Sequence, residues 1–169
     1  KDLEFLLDTN FLVGLLDLNS IESKHTCRKI IEICHRLGYK ASVLDFTIEE
    51  TSALINRTAE NYETTFLAKK IDPESIYNAC DRRRLNRTDL QSISANLYDK
   101  LHKEFRINLI PNTTKYRNTA KYSAEYDKFK GYRTNEYAAL HDATAVVYVQ
   151  RKRGKKVTSF QDSNCWFVT

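Results

Sequence analysis

The hydrophobic positions along this chain change period several times, and each change predicts an element. "LEFLL", residues 3–7, is an apolar stretch interrupted only by Glu4, and it reads as a short buried strand ending at Asp8. Over 10–18, Phe11, Leu12, Leu15, Leu16 and Leu18 recur at helical spacing. A second helix is predicted over 21–37, with Ile30, Ile31, Ile33 and Cys34 on its apolar side and Gly38 just past its end. "KASVLDF" (40–46) predicts a second strand. Thr47 then suits a helix N-cap, and Glu50, three residues on, completes a capping box.

From about 56 to 105 the pattern is helical and polar. Asp72 before Pro73 marks a helix start, and Thr88-Asp89-Leu90-Gln91 reads as a further capping box, opening a helix that carries Leu97, Leu101 and Phe105. "RINLIP" (106–111) returns to strand character. Residues 115–133 are rich in Tyr and cations and predict helix with loops. The stretch 135–154 is a strong helix ending in cations and Gly154, and "CWFVT" (165–169) is a last strand. Strands alternating with helices predict an α/β fold: a mainly parallel sheet sandwiched by helices, in a single domain over 1–169, with a helical insertion at about 56–105.

Composition narrows the class. The 169 residues are 41% hydrophobic and 29% charged, enough for a sizeable core, and only 4 Gly and 2 Pro argue against an all-β fold or long linkers. No Gly-rich phosphate loop occurs, so neither a P-loop nor a dinucleotide fingerprint applies. No apolar run reaches the ~18 residues that span a bilayer. Asp8 and Asn10 interrupt the first apolar stretch, which therefore does not read as a signal peptide. The expected location is cytoplasmic, with no membrane partner. Cys27, Cys34, Cys80 and Cys165 show no Cys-x-x-Cys spacing and read as reduced, buried thiols. The four histidines are scattered, and none pairs with a Cys or His at metal-ligand spacing.

The formal net charge is +5, and it is unevenly spread. "CDRRRLNR" (80–87) and "QRKRGKK" (150–156), with Arg151, Lys152 and Arg153, are basic clusters. Lys115, Arg117 and Lys121 belong to a segment in which cations interleave with Tyr116, Tyr122, Tyr126 and Tyr132. Cations neutralise phosphates and aromatic faces stack on unpaired bases, which points to nucleic acid; the alternative is a solvated surface.

The acids carry the sharper chemistry. In open α/β sheets, sites form outside the carboxyl ends of the strands. Asp8 follows the first strand, Glu49 and Glu50 open the helix after the second, and Asp142 sits early in the C-terminal helix. Converging carboxylates repel unless a cation sits among them, and hard oxygen ligands select Mg²⁺ or Mn²⁺. Each acid also has a plainer reading: Asp8 as a helix cap, Glu50 as a capping-box partner, Asp142 as a solvated helix residue. Phosphatases that form an aspartyl-phosphate also place an Asp after a first strand. They need a second Asp two residues on, where Asn10 stands here.

"FLLDTNFLVGLL", "FTIEETSALI", "NLIP", "LHDATAVVYV" and "WFVT", in that order, resemble the PIN-domain ribonucleases. The resemblance covers about 3–56 and 106–169. It implies a parallel sheet between helices and a divalent-metal-dependent endoribonuclease, with Mg²⁺ or Mn²⁺ as cofactor and single-stranded RNA as substrate. On this match Asp8, Glu50 and Asp142 are the metal-binding acids, with Glu49 competing with Glu50. Thr9 or Asn10 supports the first Asp, and Thr169 is the Thr of the last strand. A further carboxylate or amide is expected about two residues beyond Thr169, with Asp162 as a substitute. Many bacterial members are toxins, which would bring an inhibitory protein partner or a homodimer, but the compact toxins lack the middle stretch. The alternative is a catalytically silent PIN-like module that binds RNA or protein.

Overall fold

A computed structural model describes residues 3–62, 72, 74–133, 135–154, 157–159 and 162–169. Four short strands form one all-parallel sheet in the order β3-β2-β1-β4: β1 (Glu4–Leu7), β2 (Lys40–Leu44), β3 (Asn108–Ile110) and β4 (Cys165–Val168). Parallel strands need crossovers, and helices supply them. β1 runs through α1 (Thr9–Leu15) and α2 (Ile21–Arg36) to β2, which leads into α3 (Asp45–Glu60). Then come α4 (Ile76–Arg83), α5 (Arg87–Ala95) and α6 (Leu97–Phe105) before β3. α7 (Thr114–Ala120), α8 (Ala124–Lys130) and α9 (Glu136–Arg153) lead back to β4, on the far side of β1.

The central strands β1 and β2 are buried on both faces, and their side chains alternate between two cores. Leu7 and Val43 face one side, with Leu12, Leu15, Ile31 and Ile55. Within the stretch 56–105, Ile76, Cys80, Leu90, Leu97 and Leu101 enter this same cluster, so α4–α6 are built into the main core. Leu6 and Leu44 face the other side, with Ala145, Tyr148, Val149 and Cys165. α9 also packs Leu140, Ala143 and Val147 against Ala120. α1 crosses α2 so closely that a Cβ on Gly14 would lie 2.9 Å from Cys27 Sγ, which explains glycine there. All four cysteines are free and buried. No helix among the described residues is long and apolar enough to cross a membrane.

Several local expectations shift. β2 stops at Leu44, not at 46, because Asp45 starts α3: its carboxylate accepts hydrogen bonds from the backbone N–H of Phe46 and from Thr113 Oγ1. Thr47 is therefore inside the helix rather than at its N-cap, and no capping box with Glu50 forms. The box expected at Thr88–Gln91 is made two residues earlier, by Asn86 and Asp89. Its helix breaks at Asn96, giving α5 and α6. Ser75, not Asp72, caps the helix that follows it; Pro73 lies outside the described residues. α1 ends sooner than 18, because Asp17 adopts φ 62°. There the Asp17 carboxylate takes Arg82 at 2.7 Å and Lys24 at 3.0 Å. Arg83 donates to the backbone carbonyls of Leu16 and Asp17. The basic run 80–87 thus spends Arg82 and Arg83 on joining α4 to α1.

Candidate metal centre

The strand order changes direction at β1, and the chain leaves the carboxyl edge of the sheet at this point in Asp8. Such switch points open a crevice. The edge holds a cleft of about 470 Å³ into which α1, α3 and α9 all send side chains. Asp8 occupies the N-cap position of α1 but makes no capping side-chain bond, so the plain helix-cap reading of this residue is not met. Its backbone N–H is spent on Val168 O at 3.0 Å, which ties the end of β4 to the end of β1. Glu50 comes from the second turn of α3 and His141 and Asp142 from the second turn of α9.

One ligand atom each from Asp8, Glu50 and His141 lie within 4.8 Å of one another. Thr9 Oγ1 donates to Glu50 Oε2, and His141 Nε2 stands 3.1 Å from that same oxygen. Thr47 Oγ1 is also 3.1 Å from Nε2, and the imidazole packs edge-on against Phe46. Asp142 lines the cleft but is not a member of the trio. Its Oδ2 accepts from Arg133 Nε at 2.9 Å and Nη2 at 2.8 Å, and its Oδ1 faces His141 Nδ1 at 3.8 Å. Arg57 and Tyr137 complete the polar lining.

The two aspartates are driven apart electrostatically. Burial pushes the Asp8 carboxyl above its ordinary range, with Glu50 and Asp142 adding to the rise, against the Thr9 backbone N–H and His141. Burial works in the same direction on Asp142, but the facing His141 ring and the hydrogen bonds from Arg133 overcome it and hold that carboxyl low. Two carboxylates and an imidazole around one point, one acid buried with no side chain among the described residues donating to it, form a donor set that fits a divalent cation.

The other expected residues fall as follows. Glu49 is exposed on the outer face of α3, and Glu50 faces the cleft. Neither residue supports Asp8 through its side chain: Thr9 Oγ1 donates to Glu50 instead, only the Thr9 backbone N–H reaches the Asp8 carboxylate, and Asn10 is exposed at the cleft rim. Thr169 follows the end of β4 and lines a neighbouring cavity with Phe11, Asn19 and Cys27. Asp162 precedes β4, accepts from Ser159 Oγ at 2.8 Å, and sits at the amino edge of the sheet; it cannot substitute for a carboxylate at the other edge. Arg151, Lys152 and Arg153 are nine or more residues along α9 from Asp142, about 13 Å or more at a helical rise. Arg151 donates to Thr119 Oγ1, Lys152 pairs with buried Glu4 at 3.3 Å, and Arg153 donates to Cys165 O and stacks on Trp166. Their partners belong to the fold, and they lie away from the cleft. Lys115 lies over Tyr116, Lys121 is exposed at the end of α7, and Arg117 lies 5.3 Å from the ring of Tyr137 at the cleft wall.

His141, Arg57 and Arg133 were not singled out from sequence. A signal existed for Arg57, which follows Glu50 by seven residues and so shares its helical face. His141 adjoins Asp142 between apolar neighbours, a pattern that marks a buried histidine without naming its partners.

Fold and site together define an α/β protein with a carboxylate–histidine cluster at the switch point of an all-parallel sheet. No protein-family model, characterised protein or solved structure matches the chain.

Proposed function

We propose that the protein is a PIN-like, divalent-metal-dependent endoribonuclease acting on single-stranded RNA. The observation that carries this reading is the convergence of Asp8, Glu50 and His141 within 4.8 Å in a cleft that also presents two arginines, Arg57 and Arg133. Asp8 and Glu50 supply the carboxylate oxygens that would hold Mg²⁺ or Mn²⁺, and Thr9 fixes the Glu50 rotamer by donating to Oε2. A bound divalent cation would polarise a phosphoryl oxygen and make water a better nucleophile. Arg57 and Arg133 neutralise the phosphodiester beside those acids. Arg133 also keeps Asp142 ionised, so the cleft carries a carboxylate even when a substrate phosphate is close. Tyr137, 44% exposed at the cleft wall and backed by Arg117, offers a face on which an unpaired base stacks.

The Arg133–Asp142 pair also favours a second reading, a silent binding module, because it neutralises one of the expected acids internally. One assay separates the two. Labelled single-stranded RNA and DNA of the same sequence are incubated with Mn²⁺, Mg²⁺ or a chelator, for the natural chain and for Asp8→Asn. The nuclease reading expects internal cleavage of RNA that needs the metal and is lost in Asp8→Asn. Binding without cleavage in either metal would leave the silent module.

A further inference from the structure

Resting on the metal-dependent reading above, we propose that His141 is itself a metal ligand. The centre then holds one ion on two carboxylates and an imidazole nitrogen, and prefers Mn²⁺ and its first-row neighbours to Mg²⁺. Three observations lead there. First, the ligand atoms that cluster are those of Asp8, Glu50 and His141, whereas Asp142 is engaged by Arg133 through two donors at 2.9 and 2.8 Å. Second, His141 Nε2 and Glu50 Oε2 are 3.1 Å apart. Two neighbouring ligands of an octahedral ion, each bonded at about 2.1 Å and at right angles, are separated by about 3.0 Å. Third, the ring is turned so that Nδ1 faces the Asp142 carboxylate at 3.8 Å. A metal-ligating imidazole keeps its proton on the side of such a carboxylate. Nε2 then turns its lone pair toward Thr47 Oγ1 and Glu50 Oε2, each 3.1 Å away; the Thr47 hydroxyl can donate to it, but Glu50 Oε2 is an acceptor against an acceptor, and a cation beside that oxygen resolves the conflict. Asp8 adds the independent sign of a missing partner: it is 8% exposed, lines the cleft, and receives no side-chain hydrogen bond among the described residues.

The chemistry of the donors sets the choice of ion. All-oxygen sites suit Mg²⁺, which dehydrates reluctantly and takes few protein ligands; imidazole favours transition ions. Charge sets the number. Asp8, Glu50 and Asp142 carry three negative charges and Arg57 and Arg133 two positive ones, a balance of −1 with neutral His141. One divalent ion brings the cleft to +1, matched to one phosphodiester; a second would leave it at +3. Arg133 thus takes the place that a second cation would fill against Asp142.

The test is pulsed electron paramagnetic resonance of Mn²⁺ added to the metal-stripped full chain. One bound Mn²⁺ per chain is expected, with electron-spin-echo modulation from one imidazole ¹⁴N. In protein labelled with ¹⁵N-histidine the modulation changes to that of ¹⁵N, a readout that needs no variant and is untouched by any failure of a His141 variant to fold. In His141→Gln the nitrogen modulation disappears. The Mg²⁺ excess needed to displace half the Mn²⁺ falls from over about a hundredfold to under about tenfold. Bound Mn²⁺ with no nitrogen modulation, or modulation that persists in folded His141→Gln, overturns the inference and leaves the metal-dependent reading standing. No binding of Mn²⁺ at all overturns both.

Discussion

Replacing Asp8 by Asn should make the metal-free protein more stable while destroying its affinity for metal. Asp8 is buried beside Glu50 and Asp142, and its carboxyl is pushed up by burial first and by those acids next. With the clustered ligand atoms up to 4.8 Å apart, Coulomb repulsion between Asp8 and Glu50 is about 3.5 kcal/mol at an effective dielectric constant of about 20. The Thr9 N–H and His141 offset part of this, leaving a gain of about 1–2 kcal/mol in Asp8→Asn. For a chain of this size that is a rise of roughly 2–8 °C in Tm. The capping reading gives a different sign. Asn caps a helix as well as Asp does, and losing a negative charge at a helix N-terminus costs about 0.3–1 kcal/mol. The pH dependence follows from the raised carboxyl. An acid whose folded pKa lies above its unfolded value costs stability once both states are ionised, and the cost fades as pH falls through the folded value. The advantage of Asp8→Asn should therefore be full at pH 7 and vanish toward pH 4. The assay is thermal unfolding of both proteins in chelator and in Mn²⁺. An ion at 100 times its Kd stabilises the natural chain by about 2.7 kcal/mol. The order of the two melting temperatures should then reverse on adding metal. Asp8→Asn melting at or below the natural chain in chelator would refute the argument and return Asp8 to a helix-terminal role.

Two further expectations follow from the placement of the charges. Asp17→Asn keeps a side chain that tolerates the positive φ but removes the charge that Arg82 and Lys24 pair with, and should cost about 2–3 kcal/mol by denaturant unfolding at pH 7. Because hydrogen bonds from those cations, outweighing burial, hold the Asp17 carboxyl low, its contribution is present above the unfolded pKa and lost as pH falls below about 4. In RNA binding measured against salt, Arg57→Gln and Arg133→Gln should each lower the log–log slope by about 0.7, whereas Arg151→Gln, anchored on Thr119 away from the cleft, should leave it unchanged. An effect at Arg151 with none at Arg57 and Arg133 would put the RNA path along α9 instead of in the cleft.

The layout of this site was half legible in the sequence, and the reasons are local. Asp8, Glu50 and Asp142 announce themselves because each follows or opens an element whose period is clear, and parallel strands bring such positions to one edge. The α/β alternation was readable for the same reason. What escaped depends on rotation about a helix axis and on competition between caps. Asp45 wins the start of α3 through Thr113, a residue 68 positions away, and the resulting three-residue shift of the N-cap, from Thr47 to Leu44, frees Glu50 from a capping box and turns it into the cleft. His141 is a neighbour of Asp142 in sequence, yet its function is set by Glu50 and Thr47, which no periodicity connects to it. The basic runs were ambiguous because charge in a sequence does not say whether its partner is a ligand or the fold: Arg82, Arg83, Lys152 and Arg153 all meet partners within the chain.

The strongest argument that the carboxyl edge is a site comes from the amino edge of the same strand. β1 begins at Glu4 and is followed by Asp8, and the two acids are 5% and 8% exposed. Burying a carboxylate is tolerable only when the fold supplies partners. Glu4 has them: Ser42 Oγ donates at 2.6 Å, Tyr148 OH at 3.0 Å, and Lys152 Nζ pairs at 3.3 Å. The neighbouring Cys165 thiol is pushed up to about 12 by burial and by Glu4, so it stays protonated and inert. At that end of the strand, both carboxylate oxygens of Glu4 have partners among the described residues. Asp8, one strand-length away, faces a cleft, two more acids and a histidine, and draws no donor side chain among the described residues. A fold that equips one buried carboxylate so fully has the means to equip the other. Leaving Asp8 short of a cation makes physical sense where the cation comes from solution.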